Sequence, residues 1–135
     1  MQEVLAWRPE FELGLDEIDD THRGFVALVS ALQTANDGDL VERLSALRMH
    51  TQSHFAMEDE WMRATEFPPV GCHSGEHARV LAVFDGVLDR ARQGDLELAR
   101  RLAEELTPWF EQHAATMDRM LVFWLKSKQA APTSP

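Results

Sequence analysis

The chain has 135 residues, a formal net charge of −10 and a pI near 4.9. These values predict one acidic domain without the basic face that nucleic acid or an anionic membrane requires. No apolar run approaches the ~20 residues of a membrane span and the N-terminus lacks a secretory signal pattern, so a cytoplasmic protein without membrane insertion is predicted. Cys72 is the single cysteine, which excludes an internal disulfide and a metal site made of thiolates alone.

Two helices are predicted to follow an irregular arm over residues 1–15. The first helix can be capped by Asp16 or Asp19, and it ends at the turn-forming sequence Asn-Asp-Gly-Asp at residues 36–39. The second begins near Leu40 and ends before two consecutive prolines, because the residue before a proline avoids helical geometry.

Two further helices follow the prolines. The third is predicted from about Val70 to the Gln-Gly-Asp turn at residues 93–95, and the fourth covers residues 96–126. Pro108 lies inside the fourth helix and lacks a backbone donor, so a kink is predicted near it.

Four helices with short links and no strand pattern predict an all-α fold. The expected architecture is an up-down-up-down antiparallel four-helix bundle with an irregular N-terminal arm. The predicted domain covers residues 1–128, and residues 129–135 are predicted to form a disordered tail.

Metal-binding residue types recur on the inward faces of all four predicted helices. Residues four apart share a helical face, so His54 with Glu58 and His73 with His77 each project two donors together. Imidazole and carboxylate suit iron, zinc, copper or nickel, and a bound cation offsets the cost of burying carboxylates. The pattern predicts a metal centre made of seven side chains: His22, His54, Glu58, His73, His77, His113 and Asp118.

Some of these positions are ambiguous when taken singly. Asp118 is five residues after His113, which is about 140° around an α-helix and a weak signal. His50 also lies four residues before His54, but the apolar register favours His54 with Glu58 and places His50 beside the site or on the surface. The lone Cys72 is interpreted as an inert thiol.

Other metal-binding classes fit the sequence less well. The chain has no Glu-x-x-His, which ferritin-like di-iron bundles use twice, and no His-Glu-x-x-His zinc-protease motif. A haem bundle with histidine and methionine ligands would leave Glu58 and Asp118 buried without a purpose.

Four motifs resemble the hemerythrin family, specifically its short single-domain bacterial form. They are Ile18-Asp-Asp-Thr-His22, His54-x3-Glu58, His73-x3-His77 and Trp109-x3-His113-x4-Asp118. The resemblance spans residues 7–118 and fills all seven ligand positions of the family.

The resemblance implies a non-haem di-iron centre, with two iron ions (Fe2+/Fe3+) and a bridging hydroxide or oxide. In that arrangement one iron is held by His73, His77 and His113, and the other by His22 and His54. Glu58 and Asp118 bridge the two, and the second iron keeps an open position for O2.

The implied function is reversible O2 binding for carriage, storage or delivery, without enzyme activity. Two alternatives stay open: an O2, NO or redox sensor acting through a partner, and a di-iron oxidoreductase that consumes peroxide or NO. The oxygen-consuming partner protein is not identified by the sequence.

Five side chains are candidates for an O2 pocket, although each is equally explicable as ordinary core: Phe25, Phe55, Trp109, Phe110 and Ala114. In this family the residue after the fourth-helix histidine is often a bulky aliphatic. Ala114 departs from that pattern, so we expect a wider pocket and faster oxidation of the oxygen-bound protein.

Overall fold

The computed structural model describes residues 4–130, with side chains as far as residue 128. Its helices are α1 Asp16–Gln33, α2 Leu40–Ala64, α3 Val70–Arg92, α4 Glu97–His113 and α5 Arg119–Ala130, with a π-helical turn at Ala114–Asp118 between α4 and α5. Short 3-10 turns occupy Pro9–Phe11 and Asp37–Asp39. No strand occurs in this part of the chain, and the predicted all-α fold is confirmed.

The helices form an antiparallel bundle of four rods. Contacts join α1 to α2, α2 to α3 and α3 to α4, and α1 also packs on α4, which closes the bundle. The fourth rod consists of α4, the π turn and α5 in sequence. None of the helices between residues 4 and 130 is long and apolar enough to cross a membrane.

The start of α1 differs from the prediction. Leu15 is the N-cap, and neither Asp16 nor Asp19 caps the helix. The carboxylate of Asp19 instead accepts hydrogen bonds from the backbone N–H groups of Leu13 and Gly14, at 2.7 and 2.9 Å. Asp19 therefore attaches the N-terminal arm to the bundle, because it lies one turn inside the helix rather than at its end.

The other helix ends follow the predicted signals. Helix α2 begins at Leu40 and α3 at Val70, directly after the two prolines. In the fourth rod, α4 continues through Pro108, so a kink there stays a prediction. The departure from α-helical hydrogen bonding falls instead between α4 and α5. Helix α5 extends to Ala130, and the rest of the predicted tail, residues 131–135, lies outside the described residues.

Two apolar clusters form the core, one toward each end of the bundle. One contains Phe25 and Phe110, and the other contains Ile18 and Leu121. On α1, His22 lies between Ile18 and Phe25 in sequence, and on the antiparallel fourth rod His113 lies between Phe110 and Leu121, so the order of the two clusters is reversed along the chain. A polar layer therefore separates the two clusters, and the predicted ligands lie in that layer.

Candidate metal centre

The bundle brings all seven predicted ligand side chains together. Every one of them is buried, with at most 5% of its surface exposed. They come from all four rods: His22 from α1, His54 and Glu58 from α2, His73 and His77 from α3, and His113 and Asp118 from the fourth rod.

The ligand atoms form two groups that share both carboxylates. One group contains three histidines, His73, His77 and His113, and we call it the three-histidine set. The other contains His22 and His54, and we call it the two-histidine set. Glu58 and Asp118 belong to both, and within each group the ligand atoms lie within 4.8 Å of one another.

Glu58 directs one oxygen to each set. Its Oε2 lies 2.7 Å from Nε2 of His54 in the two-histidine set. Its Oε1 lies 3.3 Å from Nε2 of His77 and 3.4 Å from Nε2 of His73 in the three-histidine set. This division is the one that a carboxylate bridging two cations would have.

Asp118 divides its oxygens in the same way. Its Oδ2 lies 3.0 Å from Nε2 of His22. Its Oδ1 lies 3.1 Å from Nε2 of His73 and 3.2 Å from Nε2 of His113. The two carboxylates thus join the two sets from different rods of the bundle.

The π turn explains how Asp118 reaches the site. In the turn, the backbone N–H of Arg119 donates to the carbonyl of Ala114, five residues earlier. A π turn has one more residue than an α-helical turn, so Asp118 and His113 share a face despite their five-residue spacing. The 140° separation expected from the sequence assumed a regular α-helix, and that assumption fails here.

Many polar atoms of the site lack hydrogen-bond partners. Within the described residues, eight buried nitrogen and oxygen atoms make no hydrogen bond: Nδ1 and Nε2 of His22, Nδ1 of His54, Oε1 of Glu58, Nε2 of His77, Nδ1 and Nε2 of His113, and Oδ2 of Asp118. Buried polar atoms without partners are costly. Five of the eight point to the shared centre, and imidazole nitrogen with carboxylate oxygen is a donor set that iron accepts. The residues therefore fit a metal centre.

Charge in the pocket favours a cation. Burial and the neighbouring Asp118 both raise the pKa of the Glu58 carboxyl, but His54 and His73 outweigh them and lower it. Burial likewise raises the pKa of Asp118, whereas His113, His22 and His73 lower it well below its usual value. Burial lowers the pKa of His73, yet hydrogen bonds to the two carboxylates raise it to about 9. Both carboxylates are therefore held in their charged form.

Asp59 is a site residue that the sequence reasoning missed. Nδ1 of His77 donates to Oδ1 of Asp59 at 2.9 Å, and the Ser74 hydroxyl donates to the same oxygen at 2.9 Å. The only sign of Asp59 in the sequence is that an acidic residue directly follows Glu58. The Asp59 side chain faces α3 instead of the bundle axis. Helical periodicity selects only the inward face, so it did not identify Asp59.

His50 lies outside both histidine sets. Its Nε2 is 3.0 Å from the carbonyl oxygen of Thr21 on α1, and its ring centroid is 6.4 Å from that of His54. Its imidazole packs closely against Gly24, where an added Cβ would meet the ring at 2.8 Å. His50 therefore joins α1 to α2 beside the site. Cys72 is exposed at the start of α3.

The candidate O2-pocket residues surround the histidines. Phe55 stacks on His77 with ring centroids 3.8 Å apart, and Trp109 stacks on His113 at 4.6 Å. Phe110 lies edge-on to His22 at 5.2 Å. Phe25 and Ala114 are buried in the same apolar cluster as Phe110. Their role in an O2 pocket stays a prediction.

Comparisons with known proteins find similar sequences and a similar fold. Residues 13–125 match the family described as the hemerythrin HHE cation binding domain. A bacteriohemerythrin of Ralstonia nicotianae is 43% identical over 125 residues, which are 93% of this chain and 91% of that protein. Myohemerythrin-1 of Phascolopsis gouldii is 28% identical over 116 residues, 86% of this chain and 90% of that protein. A hemerythrin crystallised as a leucine-to-alanine mutant has the same fold, with a TM-score of 0.83 at 22% identity, and the match covers 93% of this chain and 98% of that chain.

Proposed function

We propose that this chain, which belongs to the hemerythrin family of proteins that bind O2 at a non-haem di-iron centre, binds O2 reversibly for carriage, storage or delivery. The observation that carries the proposal is the division of the site into two ligand groups that share both carboxylates. A mononuclear site would not need two such groups.

In the proposed centre each ligand has a defined task. The three-histidine set would hold one iron and the two-histidine set the other, and Glu58 and Asp118 would bridge them. Because the two-histidine set supplies one protein ligand fewer, it leaves more coordination positions open for a small ligand. Iron held by these residues would supply the electrons for reversible O2 binding.

The surrounding side chains support binding rather than turnover. The ligands are nearly inaccessible to solvent, and Phe55 and Phe110 cover their rings with apolar surface. Exclusion of water favours a reversible complex, because water and protons promote side reactions of reactive intermediates. Carriage, and not catalysis, is therefore the proposed role, with a cytoplasmic location as the sequence predicts.

Anaerobic reconstitution with Fe2+ tests the proposal. We expect two iron ions per chain, a visible absorption band when air is admitted, and loss of that band when the solution is purged with argon. If the wild-type protein shows no band, or if the band cannot be reversed, the carrier proposal is wrong. Steady consumption of peroxide or NO above the rate of free iron would favour the oxidoreductase alternative.

Two histidine variants of α2 make a matched pair for this experiment. His54→Gln removes a ligand of the two-histidine set, so we expect it to lose the reversible band. His50→Gln changes the same residue type one turn earlier, outside both sets, and we expect it to behave as wild type. Equal loss in both variants would point to damage of the fold instead of the site.

A further inference from the structure

We propose that Asp59 is a positioning residue that acts through His77 and strengthens the three-histidine set selectively. The inference rests on the proposed di-iron centre, but it concerns a residue outside the seven ligands. Asp59 is on α2, directly after the bridging Glu58, and its carboxylate contacts α3.

The contact is well defined by distance and partner. Oδ1 of Asp59 lies 2.9 Å from Nδ1 of His77, and the Ser74 hydroxyl holds the same oxygen at 2.9 Å. A carboxylate accepts, so Nδ1 of His77 carries the proton and Nε2 carries the lone pair. That Nε2 is buried without a hydrogen bond and lies 3.3 Å from Oε1 of Glu58. Asp59 therefore selects the tautomer in which His77 can bind a metal.

The other histidines show that the contact is asymmetric. Within the described residues, Nδ1 of His22, His54 and His113 is buried and has no hydrogen-bond partner. Both members of the two-histidine set thus lack the outer support that His77 receives. A substitution of Asp59 should therefore weaken metal binding by the three-histidine set and leave metal binding by the two-histidine set unchanged.

The expected loss of metal affinity follows from the hydrogen bond between Asp59 and His77. A carboxylate that accepts the outer N–H of a ligating imidazole fixes the ring and makes its other nitrogen a stronger donor. Loss of such a partner typically weakens metal binding about 10- to 100-fold. Asp59→Asn keeps the size of the side chain and an acceptor oxygen but removes the charge, and charge-assisted hydrogen bonds are roughly twice as strong as neutral ones.

A purely structural role for Asp59 makes a different prediction. The Ser74 contact links α2 to α3, so Asp59 would then stabilise the bundle without distinguishing the two sets. Ser74→Ala removes that link and keeps the Asp59 charge. Glu60→Gln makes the same carboxylate-to-amide change one residue later, at an exposed position paired with Arg63, and serves as the matched control.

The experiment is a Co2+ titration of the full-length metal-free protein, followed by absorption. We expect two binding steps in the wild type, in Glu60→Gln and in Ser74→Ala. In Asp59→Asn one step should weaken about 10- to 100-fold and the other should stay unchanged. In the Co2+ protein, the exchangeable Nδ1–H proton of His77 should give an NMR signal in the wild type that Asp59→Asn shifts or loses.

The outcomes separate this inference from the proposed function. A wild type that does not bind two Co2+ ions overturns both. Two normal steps in Asp59→Asn, or equal weakening of both steps with a lower melting temperature of the metal-free variant, overturn only the role of Asp59. If Asp59→Asn does not fold, the wild-type spectrum decides: a slowly exchanging His77 Nδ1–H signal supports the inference, and its absence overturns it.

Discussion

Two buried carboxylates, Glu58 and Asp118, determine what this site can bind. Each presents one oxygen to the two-histidine set and the other to the three-histidine set. Their pKa values are lowered by the surrounding histidines despite complete burial. Negative charge in an apolar bundle is stable only beside cations, and His73, whose pKa the two carboxylates raise to about 9, supplies positive charge when no metal is bound.

Replacement of Glu58 by glutamine should therefore reduce metal binding without changing the size of the side chain. Gln keeps the volume of Glu, but its amide has one acceptor atom and no charge, so it cannot serve both sets. We expect iron in Glu58→Gln to fall from two ions per chain to at most one, as measured by metal analysis of the reconstituted protein. Glu60→Gln on the same helix should keep two ions. Two ions in Glu58→Gln would contradict the bridging role.

The small side chain of Ala114 should limit the lifetime of the oxygen-bound protein. Ala114 is 2% exposed, directly after His113, and belongs to the cluster that contains Phe25 and Phe110. Leucine there would add apolar volume beside the ligands and hinder water. We expect the reversible absorption band of Ala114→Leu to persist several-fold longer in air than that of the wild type. Ala115→Leu, at an exposed neighbouring position, should leave the lifetime unchanged.

The sequence predicted which side chains meet in the buried polar layer better than it predicted the residue that contacts them from outside. Six of the seven predicted positions lie in register with the apolar face that precedes or surrounds them on a regular helix, so periodicity selects them, whereas Asp118 is five residues after His113 and out of that register. Asp59 lies off that face, and its partner His77 is 18 residues away on another helix. A contact between helices depends on how they pack, which a pattern along one helix does not contain.

Among the helices, the fourth rod departs most from regular geometry. A single extra residue between His113 and Asp118 is absorbed in the π turn. When the one extra residue is left out of the count, Leu121, Val122 and Leu125 lie at the spacing from His113 that places residues on one face of an α-helix. All three are buried, so the π turn keeps the apolar face of α5 in register with that of α4.

Deletion and insertion at the π turn should have opposite consequences. Deletion of the exposed Ala115 leaves His113 and Asp118 four residues apart, on one face of a regular α-helix. We expect this variant to keep its helical content and to bind iron. An alanine inserted after Ala115 would rotate Asp118 and the buried face of α5 by about 100°.

The insertion should lose iron and destabilise the protein. Three apolar side chains would leave the core, and each contributes about 1.5–3 kcal/mol when buried, so we expect a loss on the order of 5 kcal/mol. Urea unfolding followed by circular dichroism, together with metal analysis, measures both effects. An insertion variant as stable as the wild type would show that α5 does not depend on this register.

The predicted helix ends show which local signals are strong. The two prolines placed the α2–α3 link correctly because they restrict the backbone by sterics alone. The expected caps of α1 were wrong because Asp19 bonds to the backbone of the arm, whose path the sequence does not specify. The π turn was missed for a related reason, since an α-helical period was assumed throughout the rod.

In the molecule as a whole, a polar layer lies between two apolar clusters. Eight of its buried polar atoms have no hydrogen-bond partner within the described residues. Each such atom costs about 1–3 kcal/mol, so the layer reduces the stability of the metal-free bundle. Metal binding should recover that free energy, because a ligand that binds only the folded state stabilises it.

Removal of iron should therefore lower the melting temperature of the wild type. A site filled at about 100 times its dissociation constant adds ~2.7 kcal/mol, and each kcal/mol corresponds to a few degrees for a chain of this size. We expect a fall on the order of 10 °C when a ferrous chelator is added anaerobically, as measured by circular dichroism.

His22→Leu tests whether the fall in melting temperature on iron removal arises at the candidate metal centre. Nε2 of His22 lies 3.0 Å from Oδ2 of the buried Asp118 carboxylate, and removal of one partner of a buried ion pair is destabilising because the other charge loses its compensation. We therefore expect metal-free His22→Leu to melt below the temperature of the metal-free wild type, and the chelator to lower its melting temperature by less than it lowers that of the wild type. If the chelator lowers both melting temperatures equally, the stabilising ion is bound elsewhere, because His22 would then contribute nothing to it.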